Sequence, residues 1–224
     1  MQIHADLSLR AVVQTAGLVW TETPMPGVLR KLIERDGAEV ARATSLVQYA
    51  AGSRFFSHTH DLGEEFLVLE GDFNDEHGSY GTGTYVKNPP GSAHAPYTVN
   101  GCTLFVKLRH MQPHDSIRCV VDTEQADWLP GALTGVAVVQ LSKFAGEQVF
   151  LLRVAAGTQF SHQQYRGGAE LWVVSGSWQD EDGSYPVGSW IRMPHLSTHT
   201  PRSEHGCLIL VKTGHLPGQQ NEST

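Results

Sequence analysis

The 224-residue chain is 40% hydrophobic and 17% charged, and its 16 Lys+Arg against 23 Asp+Glu give a formal net charge of -7. That composition supplies apolar material for one large core or two small ones, so disorder is not its resting state. The acidic balance, with no stripe of Lys and Arg, argues against a nucleic-acid surface. Apolar runs such as 149–152 and 207–211 fall far short of the roughly 20 residues that a membrane-spanning helix requires.

Residues 1–20 carry Asp6 and Arg10 among apolar positions and have no basic start before an apolar stretch, so they do not read as a secretory signal and a cytoplasmic protein is expected. Helical periodicity is confined to a short stretch near residues 7–16. Further on, runs rich in Val, Leu, Phe, Tyr and Thr, such as 45–49, 65–70, 84–87 and 104–108, alternate with Gly, Pro, Asp and Asn clusters. This is the pattern of strands and turns, and it predicts an all-β architecture. Asp75-Glu76-His77-Gly78-Ser79 and Asp180-Glu181-Asp182-Gly183-Ser184 read as tight turns in solvated acidic loops, since the ligand spacing of a calcium loop is absent. Cys102, Cys119 and Cys207 are an odd number without C-x-x-C spacing, which fits reduced thiols, with Cys102 and Cys207 as small buried hydrophobes.

Sliding the sequence by 105 positions aligns it with itself without a gap. Gly71 falls on Gly176, Gly78-Ser79-Tyr80 on Gly183-Ser184-Tyr185, Pro89 on Pro194, His94 on His199, Gly101-Cys102 on Gly206-Cys207 and Lys107 on Lys212. Two copies of one domain are therefore expected. The first occupies residues 1–112, a connector 113–123, the second copy 124–216, and a polar, mobile tail 217–224.

In the first copy Gly52 is followed after five residues by His58-Thr59-His60, then by Glu64 and Gly71; a second cluster runs from Gly83 through Pro89-Pro90-Gly91 to His94. Residues i and i+2 of a strand face the same way, so His58 and His60 point together. A turn at Gly63 can bring Glu64 beside them, and the Pro-Pro-Gly turn re-aims the chain toward His94. Three imidazoles and a carboxylate suit a divalent transition metal. Glu65 competes with Glu64 for the fourth position; the spacing from Gly71 favours Glu64, and leaves Glu65 to pair with Arg54 or to steady a ligand. Phe56 and Phe66 share strand faces with His58 and Glu64 and are candidates for the cavity wall, with core packing as their alternative. Arg54 and Tyr85 are further pocket candidates. His77, His110, His114, His195, His205 and His215 have no partner at ligand spacing and read as solvated. The second copy has Gln163, Tyr165, Ala169 and His199 at the four ligand positions, a degenerate site. His162 and Glu170 stand one residue out of step, which on a strand turns a side chain to the opposite face.

These clusters resemble the paired signature motifs of the cupin superfamily, Gly-x5-His-x-His-x3-Glu-x6-Gly and Gly-x5-Pro-x-Gly-x2-His-x3-Asn, departing only at the final Asn, where this chain has Thr98. More narrowly, the first copy is similar to the ChrR-type cupin domain, and the second copy matches in scaffold alone. The resemblance implies two tandem jelly-roll (double-stranded β-helix) barrels, with His58, His60, Glu64 and His94 as metal ligands and one divalent ion per chain. Zinc is the expected metal, with iron(II), manganese or nickel as alternatives. The family's name comes from a zinc-binding anti-sigma factor of bacterial oxidative-stress regulation. Its sigma-binding domain carries a His-x3-Cys-x2-Cys signature, and residues 1–52 here contain no cysteine, so a sigma-factor partner is not expected. The function expected first is a zinc-dependent sensor or regulatory module of transcription, since no further acid–base constellation stands at recognisable spacing; the alternatives are an iron(II)-dependent dioxygenase acting on a small organic substrate and a metal-stabilised scaffold. Partners are then a small-molecule ligand or a second copy in a homodimer, and neither nucleic acid nor membrane.

Overall fold

A computed structural model describes residues 1–38 and 40–218. The tail expected at 217–224 lies, from residue 219 onward, outside the described residues. Among the described residues no helix is long and apolar enough to cross a membrane. The described chain is strands and turns joined by a single 3-10 turn, Thr15–Gly17. The helical reading of residues 7–16 gives way to a strand, Ala11–Gln14, whose alternating buried and exposed residues follow a period of two.

The chain forms two compact units. In the first, the main sheet runs in the order Gln2–Ile3, Val28–Gly37, Ala41–Tyr49, Cys102–Leu108, Glu64–Asp75, Thr84–Asn88 and Cys119–Asp122. The second repeats that order from the second strand on with Val136–Phe144, Glu147–Val154, Cys207–Thr213, Ala169–Asp180, Ser189–Met193 and Ala11–Gln14, and its first strand, Leu129–Pro130, pairs where Thr21–Glu22 pairs in the first unit. Adjacent main-sheet strands are antiparallel, so alternate side chains turn inward. Phe66, Phe73, Val86, Leu104 and Val106 build the first core, and Leu171, Trp178, Ile191, Ile209 and Val211 the second. Cys102 and Cys207 are buried free thiols, as expected; burial pushes the Cys102 thiol up to about 12.

The sequence repeat and the compact units do not share boundaries. Residues 6–17 belong to the second unit, and residues up to Ala126 belong to the first. The expected connector 113–123 is instead an edge of the first unit. Asp115 is buried and accepts two hydrogen bonds from Lys87 Nζ at 2.7 and 2.8 Å, and Cys119–Asp122 pairs with Thr84–Asn88. A buried ammonium needs a compensating charge, which ties this segment down. In the second unit Arg192 occupies the place of Lys87 and donates to the carbonyls of Asp6 and Leu9.

Candidate metal centre

His58–His60 and Ser92–His94 form a two-stranded antiparallel sheet of their own, with His94 directly opposite His58 and Ser92 opposite His60. His60 is thus diagonal to His94 on one face, close enough for the rings to meet. Two turns set this up. Gly91, at φ +82, closes the Pro-Pro-Gly reversal and its N–H donates to the His60 carbonyl at 2.8 Å. Gly63, at φ +76, turns the chain so that Glu64 starts the next strand; a Cβ there would collide with Met111.

The possible ligand atoms of His58, His60 and His94 lie within 4.8 Å of one another, making a three-histidine candidate metal site. Glu64 Oε2 sits 3.4 Å from His60 Nε2 and 3.6 Å from His94 Nε2, and accepts a hydrogen bond from Asn88 Nδ2 at 3.1 Å. His60 and His94 face each other through their Nε2 atoms at 3.0 Å. Nitrogens and oxygens bound to one ion at about 2.0–2.2 Å stand roughly 2.8–3.6 Å apart along a tetrahedral or octahedral edge. The donor set fits a divalent ion.

The protonation pattern agrees. His58 Nδ1 lies 3.1 Å from the Phe56 carbonyl and His94 Nδ1 lies 3.1 Å from Asp75 Oδ2. Each Nδ1–H donating there leaves an Nε2 lone pair for the shared centre. Burial, with the neighbouring His58 and His94, holds the His60 imidazole below its ordinary value despite Glu64. Burial works against charge on His94 as well, but Asp75 and Glu64 outweigh it and raise that group. Burial likewise opposes ionisation of Asp75, yet the bonds from His94, the His77 N–H and Tyr80 hold its carboxyl at about 2. The acidic turn is therefore no solvated loop at Asp75, whose side chain is fully buried.

The cavity next to the histidines has a volume of about 360 Å³. Its walls include Val47, Tyr49, Phe55, Phe73 and Val106, with Arg30, Arg35 and Arg109 among the polar groups. Several expected pocket residues are elsewhere. Phe56 is 86% exposed, Phe66 is in the core, and Arg54 stacks on the Tyr97 ring with its Cζ 5.2 Å from the centroid. Glu65 does not meet Arg54; it accepts a hydrogen bond from Tyr85 at 2.9 Å and pairs with His110 at 3.1 Å. A one-residue step along the strand puts Glu65 and Tyr85 behind the wall that Glu64 faces. His110 and His215 are not solvated: His215 repeats the pairing with Glu170 at 3.5 Å. His195 accepts from the Gly167 N–H at 2.8 Å and is half-buried. Asp75, Tyr80, Asn88 and Arg118, none of them expected at the site from the sequence, form one hydrogen-bonded layer behind the histidines. The recurrence of Asp75 and Tyr80 at Asp180 and Tyr185 was the available signal.

In the second unit Gln163 turns to its own neighbour, donating to the Ser161 carbonyl at 3.0 Å, and Ala169 is fully buried. His199 keeps its carboxylate, Asp180, at 3.2 Å, while its Nε2 meets the Tyr165 hydroxyl at 2.9 Å. His162 is exposed and Glu170 pairs with His215, so neither replaces a missing ligand.

Solved structures of similar fold include a "putative dioxygenase" of Nostoc punctiforme, with TM-score 0.74 and 14% identity over 91% of this chain and 82% of that one. An Escherichia coli pirin in complex with nickel(II) has TM-score 0.69 and 13% identity over 93% and 99%. Bacillus subtilis oxalate decarboxylase, with Mn(II) centres, has TM-score 0.64 and 10% identity over 92% and 78%. Among curated proteins none matches the sequence significantly. The family model of the ChrR Cupin-like domain matches residues 8–112 and again 116–217. With two such domains in tandem, the chain belongs to the ChrR cupin-like family.

Proposed function

We propose that the first barrel is a mononuclear metal centre that acts on a small organic molecule, as an oxidoreductase of dioxygenase type, and that the second barrel has a structural role. The observation that carries this reading is the 360 Å³ cavity opening onto the three histidines, a size suited to a small ligand and needless in a site that only braces the fold. A bound iron(II) with four protein ligands would supply open coordination positions for dioxygen and substrate. His58, His60, Glu64 and His94 hold the ion in this reading; the Phe56 carbonyl and Asp75 fix the imidazole tautomers, and Asn88 orients Glu64. Phe55, Phe73 and Val106 keep bulk water from the substrate side. The likeness to the Nostoc protein lends support at the level of fold.

The zinc-dependent sensor is the second reading, favoured by the family match over both halves of the chain. In that case zinc fills the same residues and the cavity admits an effector. A sigma-factor partner through residues 1–52 is not part of either proposal, and the three free cysteines suit a cytoplasmic setting. Elemental analysis of protein purified without added metal, followed by oxygen uptake on aromatic compounds, diketones and small organic acids, separates the readings. Iron with substrate-dependent oxygen uptake supports the dioxygenase; tightly held zinc without uptake supports the sensor; absence of any metal refutes both.

A further inference from the structure

We propose that Arg30 is the recognition group of the cavity and that its ligand is a small organic acid, whose carboxylate the guanidinium binds while its apolar body fills the space toward the histidines. The inference deepens the proposed function by naming its substrate class, and it rests on that reading for the role of the metal.

Arg30 is on the strand Val28–Gly37, directly opposite Val47, and lines the cavity from the wall. Its Nε is fully buried with no hydrogen-bond partner, and among the described residues no carboxylate pairs with the guanidinium. A buried donor left unmatched is unfavourable, and a bound anion relieves it. The other cations of the cavity are engaged: Arg109 pairs with Asp61, and Arg35 donates to the Ala38 carbonyl. Arg35 adds to the positive field, since burial and the nearby charge of Arg30 both hold it below its ordinary value.

The second unit is an internal control. Strand register places Val138 where Arg30 stands, as each pairs with the equivalent residue of the next strand, Leu152 and Val47. Arg35 corresponds to Lys143, which is exposed. The small wall residues Ala43, Ser45 and Val47 correspond to Gln148, Phe150 and Leu152, and Phe150 and Leu152 pack against the second core. The unit that lacks two of the three imidazoles thus also lacks the guanidinium, and larger side chains stand at its wall. Those three features belong to one site. Apart from its cations the cavity is lined largely by groups such as Val28, Val47, Phe55, Phe73, Val106 and Leu108, which suits an acid with an apolar body.

The test uses the full chain and three acid and amide pairs of matched shape: acetate and acetamide, butyrate and butyramide, phenylacetate and phenylacetamide. Binding is measured calorimetrically, with metal content determined in every sample. At least one acid is expected to bind about tenfold more tightly than its amide. Arg30→Gln is expected to bring acid and amide within about threefold of each other with metal content unchanged, and Arg30→Lys to keep part of the preference. Val138 at the corresponding position shows that the fold accepts an uncharged residue there. A preference that survives Arg30→Gln overturns the proposal, as does failure of every acid to bind at about ten-millimolar concentration. A preference that depends on Arg30 in protein that takes up no metal supports the acid site while refuting the metal reading, so the two failures are distinguishable.

Discussion

The Tyr165 hydroxyl stands 2.9 Å from His199 Nε2, in the place that His60 Nε2 takes 3.0 Å from His94. Burial raises the Tyr165 hydroxyl well above its ordinary value, so it stays protonated and donates to a His199 whose Nδ1–H is committed to Asp180. One phenol thus satisfies the histidine that, in the first barrel, shares a centre with two other imidazoles. The second site is satisfied without a cation, whereas the first gathers three imidazoles and the Glu64 carboxylate around one point.

His58→Ala and His94→Ala are each expected to lose the metal while the second unit stays folded. Four of the five tryptophans, Trp128, Trp172, Trp178 and Trp190, belong to that unit, so tryptophan fluorescence in urea reports mainly on it. Metal content by elemental analysis, unchanged in both variants, would refute the ligand assignment.

Asp75→Asn keeps the shape of the side chain but removes the charge that orients His94. Loss of such a partner weakens metal affinity about 10–100-fold. Competition with a chromogenic chelator measures this. Asp180→Asn, at the equivalent position of the second unit, is expected to leave the affinity unchanged.

The Asp180 carboxyl gives the second unit an acid-sensitive term. Burial alone would raise it, but bonds from His199, Tyr185 and the Asp182 N–H bring it down to about 2 from 3.8. A depressed carboxyl stabilises the fold above its unfolded value, and the contribution disappears as pH falls from about 4 toward 2. The gap amounts to about 2 kcal/mol. Urea midpoints of the tryptophan signal between pH 6 and pH 2.5 are expected to fall through that window, and Asp180→Asn is expected to flatten the fall.

Ser45→Phe copies into the first barrel the residue that fills the second. It is expected to abolish binding of small organic ligands and to cost about 1–3 kcal/mol through crowding, with the metal retained. Calorimetry and metal analysis on the same sample separate the two effects.

Much of this molecule was legible beforehand. The repeat announced two like domains, strand alternation put His58 and His60 on one face, and the turns at Gly63 and Gly91 brought Glu64 and His94 to them. What escaped were relationships between residues distant in sequence. Nothing local in Asp75-Glu76-His77 says that the first carboxylate turns inward to His94, or that Tyr80 and Arg118 meet behind it. Phe56 was misplaced because the segment before His58 is not strand, so counting in twos from the histidine has no meaning there. Glu65 and His110 read as unrelated because the pairing crosses between Glu64–Asp75 and the end of Cys102–Leu108, a matter of register.

The assignment of residues 6–17 to the second unit and 113–126 to the first has a practical edge. A protein cut between the family repeats, at about residue 113, would separate Lys87 from Asp115 and Arg192 from the Asp6 carbonyl. Each half would keep a buried cation whose counterpart had left with the other piece. Half-genes split at the repeat boundary should therefore give insoluble products, whereas co-expression of the two fragments lets the arms find their seats. For this chain the inherited unit and the foldable unit are different lengths of polypeptide.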